Sequence, residues 1–200
     1  MSTNPFLSEG AEPQVSPHEK ELLTGHKGMV IWMTGLPGSG KTTLAYALEK
    51  RLYDEDILTR VLDGDTLRKG LNRGLGFTSA ERTENIRRTA EMAKILADCG
   101  MVVICSLITP TNDLRKLAED ILGPERFILY HISTPLDTCE KRDIKGHYKK
   151  ARAGEISHFT GISDAFEIPP NAIFSLDTSE LSIAECVDIL FDDIYPLVLL

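Results

Sequence analysis

The residues GLPGSGKT, Gly35 to Thr42, have the spacing G-x-x-x-x-G-K-[ST], preceded by the apolar run MVIWMT and followed by the helix-forming LAYALEKRL. In the loop Gly35, Leu36, Pro37, Gly38, Ser39 and Gly40, the glycines let the backbone curl so that its available N–H groups converge on phosphate oxygens, and the following helix N-terminus adds positive partial charge. Lys41 is expected to reach β- and γ-phosphates. The Thr42 hydroxyl is the expected ligand for Mg²⁺, which prefers oxygen. The motif predicts nucleoside triphosphate binding but leaves open what is done with the γ-phosphate. No NKxD guanine-reading motif is present and the chain lacks the bulk of most motor modules. A small-molecule kinase is the favoured class.

A second group of chemical side chains follows in VLDGDTLRKGLNRGLGF. Ligands of open α/β sheets bind beyond the C-terminal strand ends, so Asp63 and Asp65 should share the cradle's crevice. Asp65 can accept or orient the proton of an acceptor hydroxyl, and Asp63 can hold Mg²⁺ through water. The alternative for Asp65 is a helix cap. In the next helix, SAERTENIRRTAEMAKILADC, Thr78 and Glu81 stand at capping-box spacing. At 100° per residue, Ile86, Ala93, Leu96 and Ala97 form the apolar stripe; Arg82 and Asn85 share its side, while Arg87 and Arg88 point to solvent. Buried polar groups need partners, either a polar ligand or an internal pairing with Asp63 or Asp65. Ser106 ends the apolar run MVVICS, where its hydroxyl can meet phosphate or satisfy backbone groups. The segment RDIKGHYKKARAGEISHFTGI, Arg142 to Ile162, carries five Lys or Arg against one Asp and one Glu in a chain of net charge −8. Arg142 at its edge is expected to contact ATP.

Elements that would position these residues alternate from Gly28 onward. Strands are predicted at Met29–Thr34, Thr59–Asp63, Met101–Ser106, Phe127–Ser133 and Ile173–Leu176, and helices at Lys41–Tyr53, Ser79–Cys99, Asn112–Leu122, Pro135–Arg142 and Leu181–Asp193. This order predicts an α/β fold of the P-loop NTPase type: three α/β/α layers, a mostly parallel five-stranded sheet and a mobile lid. The lid is the Gly- and Pro-punctuated excursion at about 143–170. Residues 1–27 read as a tail, partly disordered or with a short helix, and 28–200 as the kinase domain.

Composition excludes several classes. The apolar runs are too short to span a bilayer, and the N-terminus has neither the charge nor the apolar stretch of a secretory signal. The acidic total gives no general attraction to nucleic acid. Cys99, Cys105, Cys139 and Cys186 show no CxxC or zinc-like spacing, as expected for reduced, packed thiols of a cytoplasmic protein.

From Gly28 to Pro170 the sequence resembles the adenylyl-sulfate kinase family, on GLPGSGKTT, DGDTLRKGLNRGLGF, ERTENIRR, AKILADCG, SLITP and CEKRDIKGHYKKARAGEISHFTGI in that order and spacing. The resemblance implies ATP- and Mg²⁺-dependent phosphorylation of the 3′-hydroxyl of adenosine 5′-phosphosulfate, with ATP bound by Gly35 through Thr43. It also implies a homodimer, with a separate sulfurylase as a candidate partner, while composition leaves no expectation of a membrane or nucleic-acid partner. Asp65 and Arg68 look like the acidic and basic pair at the acceptor; Arg82 and Asn85 look like further ligands. Phe77 and Phe159, with Thr160 beside it, look like the rings that sandwich adenine. Ile108 and Thr109 match positions whose backbone lines the pocket, Lys145 matches a lid lysine, and Ser106 matches a serine regarded as a possible phosphoserine intermediate. Where the family reads SFISPYRxDR, this chain reads SLITPTNDLR, which removes one positive charge beside the pocket. The competing readings are a kinase for another small hydroxyl substrate, such as a sugar acid or nucleoside, and a non-catalytic nucleotide-binding regulator.

Overall fold

Every residue of strand β1 (Met29–Gly35) is buried, because both faces of the sheet it centres are covered. The structure, a computed structural model, describes residues 15–200, so most of the predicted N-terminal tail lies outside the described residues. Alternation along β1 sends Met29, Ile31 and Met33 into one apolar core and Val30 and Trp32 into another. Strands β2 (Thr59–Asp63), β3 (Val102–Ser106), β4 (Phe127–Ile132) and β5 (Ser175–Leu176) complete a five-stranded sheet in the order β2-β3-β1-β4-β5. Every pairing is parallel.

Helices α2 (Lys41–Tyr53) and α8 (Ile183–Val198) cover one face through Leu44, Leu48, Leu52, Leu190 and Ile194. Helices α4 (Ser79–Ala97) and α5 (Asn112–Leu122) cover the other through Ile86, Ala90, Ala93, Leu114 and Ala118. This is the predicted three-layer arrangement. Strands β3, β4 and β5 are each shorter than predicted, and α8 runs beyond the predicted Asp193, through Pro196, because Ile194 and Val198 are fully buried. In α4, Thr78 and Glu81 make the expected capping box.

Three short helices were not placed by periodicity: α1 (Pro17–Thr24), α3 (Gly64–Lys69) and α7 (His147–Arg152). The sequence reading allowed a short helix before Gly28 without bounds. Its trailing residues are tied to the body: His26 is buried, its Nε2 accepts from Leu58 N at 2.9 Å, and Lys27 N donates to Val198 O at 2.7 Å. Helix α6 (Leu136–Arg142) leads into the excursion, which holds α7, and Cys139 of α6 packs with Tyr148, Ala151 and Phe159 of the excursion in a small core. Cys105, Cys139 and Cys186 are buried free thiols, whereas Cys99, expected to be packed, is exposed. No helix among the described residues is long and apolar enough to cross a membrane.

Candidate active site

The loop between β1 and α2 turns through Gly38 (φ 75°) and Gly40 (φ 100°), left-handed conformations that glycine adopts without a Cβ penalty. Two hydroxyls anchor it from across the sheet: Thr134 Oγ1 and Thr178 Oγ1 donate to Ser39 O at 3.0 and 2.9 Å. Tyr148 OH of α7 donates to Pro37 O at 2.8 Å, which joins the lid helix to the same loop. Lys41 is buried, and its Nζ donates to Gly35 O at 2.9 Å and Leu36 O at 2.7 Å. Burial pushes this ammonium down to about 8, against the opposing pull of Cys139, Asp63 and Asp65. Arg142 lies against the cradle, its guanidinium donating to Thr178 Oγ1 at 2.7 Å and Thr178 O at 2.8 Å.

Parallel pairing aligns Asp63 and Ser106 as register partners at the tips of β2 and β3. Thr42 Oγ1 donates to Asp63 Oδ2 at 2.9 Å and lies 3.2 Å from Ser106 Oγ, so three oxygen-bearing side chains converge where the cradle meets the strand ends. Asp63 also caps α3 by accepting from Thr66 N at 3.0 Å. The capping alternative considered for Asp65 therefore belongs to Asp63. Asp65 stands in the first turn of α3, exposed, and is paired with Lys145 of the lid.

The remaining predicted acceptor residues cluster about α4 and the lid. Arg68 donates to Leu75 O at 2.8 Å and Gly76 O at 3.1 Å, with its guanidinium 4.4 Å from the Phe77 ring centroid. Arg82 Nε donates to Phe77 O at 2.9 Å, and its Nη2 reaches His158 O and, at 3.5 Å, Asp164. One guanidinium thus links the backbone of Phe77 to the residue preceding Phe159. Burial lowers the proton affinity of both arginines, and for Arg68 the nearby Arg82 charge lowers it further. Two cations held this close make a site that favours an anion. Phe77 is half exposed, whereas Phe159 is buried edge-on against Tyr148 at 4.9 Å. Thr160 Oγ1 is buried with no partner among the described residues.

Asn85 is buried, but the carboxylate partners considered for it are not the ones it finds. Its Oδ1 accepts from Asn72 Nδ2 at 3.1 Å. Arg87 and Arg88 pair with Glu84, as a solvated face would. Ile108 O accepts from Thr34 Oγ1 at 2.6 Å and Thr109 O from Arg115 Nη1 at 2.8 Å, so both carbonyls turn into the body. The departures in SLITPTNDLR have local roles: Thr109 Oγ1 accepts from Trp32 Nε1 at 2.9 Å, Thr111 caps α5, and Asn112 Oδ1 accepts from Arg115 Nη2 at 2.7 Å.

Asn72, Arg115, Thr134, Asp164 and Thr178 were missed by sequence reasoning. Asn72 and Arg115 lie inside quoted motifs but their residue types signalled no role there, and the contacts of Asn72, Thr134, Asp164 and Thr178, like that of Arg115 with Glu167, are made only through the fold. A cavity of about 640 Å³ also lies between Leu36, the residues after β4 and lid residues Gly161 to Phe166.

Comparison with known proteins places the chain in a family. Residues 27–177 match the adenylylsulphate kinase family model. The chain belongs to the adenylylsulphate kinase family. It is 50% identical over 184 residues to an adenylyl-sulfate kinase of Phocaeicola vulgatus, covering 92% of this chain and 90% of that protein. It is 51% identical over 178 residues to one from Bacteroides fragilis, covering 89% and 88%. Among solved structures, the Mycobacterium tuberculosis APS kinase CysC in complex with AMPPNP and APS aligns with a TM-score of 0.80 and 44% identity, over 83% of this chain and 96% of that one. The adenylylsulphate kinase match spans both the cradle and the lid, so the predicted site residues all fall within it.

Proposed function

We propose that this protein transfers the γ-phosphoryl group of ATP to the 3′-hydroxyl of adenosine 5′-phosphosulfate, giving 3′-phosphoadenosine 5′-phosphosulfate and ADP. The observation that carries this reading is the meeting, at one crevice, of a phosphate cradle with Asp65 and the Arg68–Arg82 cation pair, in a chain about half identical to adenylyl-sulfate kinases along nearly its whole length.

In this reading Gly35 to Thr43 and Arg142 hold ATP, and Lys41 exchanges its loop carbonyls for phosphate oxygens. Thr42 and Asp63 supply the hard oxygen donors that suit Mg²⁺, with Ser106 beside them. The ion, when bound, neutralises charge on the transferring phosphoryl group. Asp65 orients the acceptor hydroxyl and takes its proton as the oxygen attacks. Lys145 leaves Asp65 to meet the nucleotide. Arg68, Arg82 and Asn85 bind the acceptor's anionic portion, Ile108 and Thr109 line its pocket, and Phe77 and Phe159, with Thr160, flank its base. Closure of residues 143–170 over both nucleotides excludes water that would otherwise hydrolyse ATP. Ser106 is buried against Thr42, which supports an organising role; direct in-line transfer requires no phosphoserine. The same proposal includes a cytoplasmic homodimer that receives its acceptor from a separate sulfurylase.

The test is ADP release with ATP and adenosine 5′-phosphosulfate, beside gluconate and adenosine as alternative acceptors. Release dependent on the phosphosulfate alone is expected. A faster gluconate rate, or no acceptor-dependent release at all, would defeat the reading. Sedimentation velocity tests the dimer.

A further inference from the structure

Asn72 lies in the loop after α3, fully buried, and the sequence gives it no chemical role. Its Nδ2 donates to Asn85 Oδ1 at 3.1 Å and Thr89 Oγ1 at 3.3 Å. The Thr89 hydroxyl has one hydrogen, and that hydrogen is committed to Asn85 O one turn back along α4, at 2.7 Å. Thr89 can therefore only accept from Asn72, and the Asn72 amide has one permissible orientation. Turning it over would set its oxygen against Thr89 and Asn85 and bury an N–H₂ where its oxygen now stands. That position offers no partner among the described residues. Leaving a buried donor without a partner is unfavourable, so the flipped orientation is disfavoured.

With Asn72 fixed, Asn85 must present Oδ1 to it. The Asn85 Nδ2 group is left over: it makes no hydrogen bond among the described residues, yet is not sealed from solvent. Asn85 stands three residues from Arg82 on the same helix, so its free donor adds to the electropositive side of the crevice.

We infer that Asn72 is a positioning residue for the acceptor site: together with Thr89 it locks the Asn85 amide so that Nδ2, never Oδ1, faces the incoming nucleotide. The atom Asn85 meets is then a hydrogen-bond acceptor, either an oxygen of the anionic chain or a base nitrogen. This inference rests on the reading of the crevice as the acceptor site.

Asn72→Asp supplies the decisive variant. Its carboxylate would face Asn85 Oδ1 with lone pairs only, so the Asn85 amide turns over and shows its oxygen to the acceptor. The KM for adenosine 5′-phosphosulfate should rise roughly tenfold or more, with the KM for ATP within about twofold of the parent. Asn72→Ala removes the lock without reversing the amide and should cost less, roughly threefold in the same KM. Equal effects on both substrates, or a larger loss in Asn72→Ala than in Asn72→Asp, would mean a purely structural role and overturn the inference.

The unaltered protein provides a second measurement that does not depend on the variants folding. In ¹⁵N NMR of the free protein, the Asn72 side-chain amide should exchange slowly and that of Asn85 quickly, with only the latter shifting when adenosine 5′-phosphosulfate is added. Rapid exchange at Asn72 would overturn the lock whatever the enzyme phosphorylates. A parent protein inactive with the phosphosulfate would instead sink the proposed function and leave the exchange result to decide the lock.

Discussion

The two halves of the crevice hold their cations differently. On the cradle side, Lys41 rests on carbonyls of its own loop, five and six residues away in the chain. On the acceptor side, Arg82 reaches His158 and Asp164, and Asp65 is met by Lys145, contacts that cross from the α3–α4 region to the lid. ATP can displace the cradle's contacts by a local rearrangement. On the proposed function, an acceptor nucleotide would displace contacts that also hold residues 143–170, which would couple its binding to the position of that segment. On that same reading, the donor side would receive its ligand at small cost, whereas the acceptor side would tie ligand binding to the position of residues 143–170.

The most severe test of this contrast is Asp65→Ala. Turnover should fall by about 10² to 10⁴ while ATP affinity, measured by calorimetry, stays near the parent value. Normal turnover would remove Asp65 from its role as proton acceptor. Next in size, Arg82→Ala should raise the acceptor KM roughly tenfold to a hundredfold and speed hydrogen exchange across residues 156–164. If ATP binding weakened equally, the two halves would not be separable.

The cradle has its own signature in pH. Burial holds Lys41 at about 8 in the free protein, and a phosphate ligand would draw it back toward its ordinary 10.5. Between those values the free protein has lost a proton that the complex keeps. Nucleotide binding should therefore take up protons there, with affinity falling by up to about tenfold per pH unit above 8. Calorimetry in buffers of different ionisation enthalpy reads this directly; no uptake at pH 9 would contradict it.

The smallest effect concerns the lid's far end. Arg115 spans Thr109 O and, at 2.6 Å, Glu167 O, so it ties the pocket loop to the lid's exit. Arg115→Lys keeps the charge but cannot bridge both carbonyls and Asn112. The expected cost is about 1 kcal/mol, or a Tm lowered by roughly 2–4 °C. An unchanged Tm would show that the tie is not needed for stability.

The phosphate cradle was legible because its chemistry is contiguous: loop glycines, lysine and threonine follow one another, and the flanking apolar periods announce strand and helix. The layered sheet was legible for a similar reason, since strands buried on both faces read as short apolar runs. The inward face of α4 was also readable, and Asn85 is buried as its position predicts. Its partner was not. Helical spacing states which side a residue faces but not what waits there, and Asn72 enters from a loop with no period of its own. Helix α7 was missed for the same lack of pattern: apart from Tyr148 and Ala151 it buries nothing, and the Asp143 carboxylate holds its start by accepting from Tyr148 N and Lys149 N, each at 3.0 Å.

The fold class, the order of the strands along the chain and the phosphate-loop motif are set by the sequence alone, because each is written in local spacing or hydrophobic period. Only the tertiary structure decided that Asp63 caps α3 while holding Thr42, that Lys145 meets Asp65, and that Asn72 and Thr89 between them set the direction of one amide. Those choices depend on hydrogen-bond partners brought together from distant parts of the chain. A buried donor or acceptor takes whichever partner the packed backbone leaves within reach.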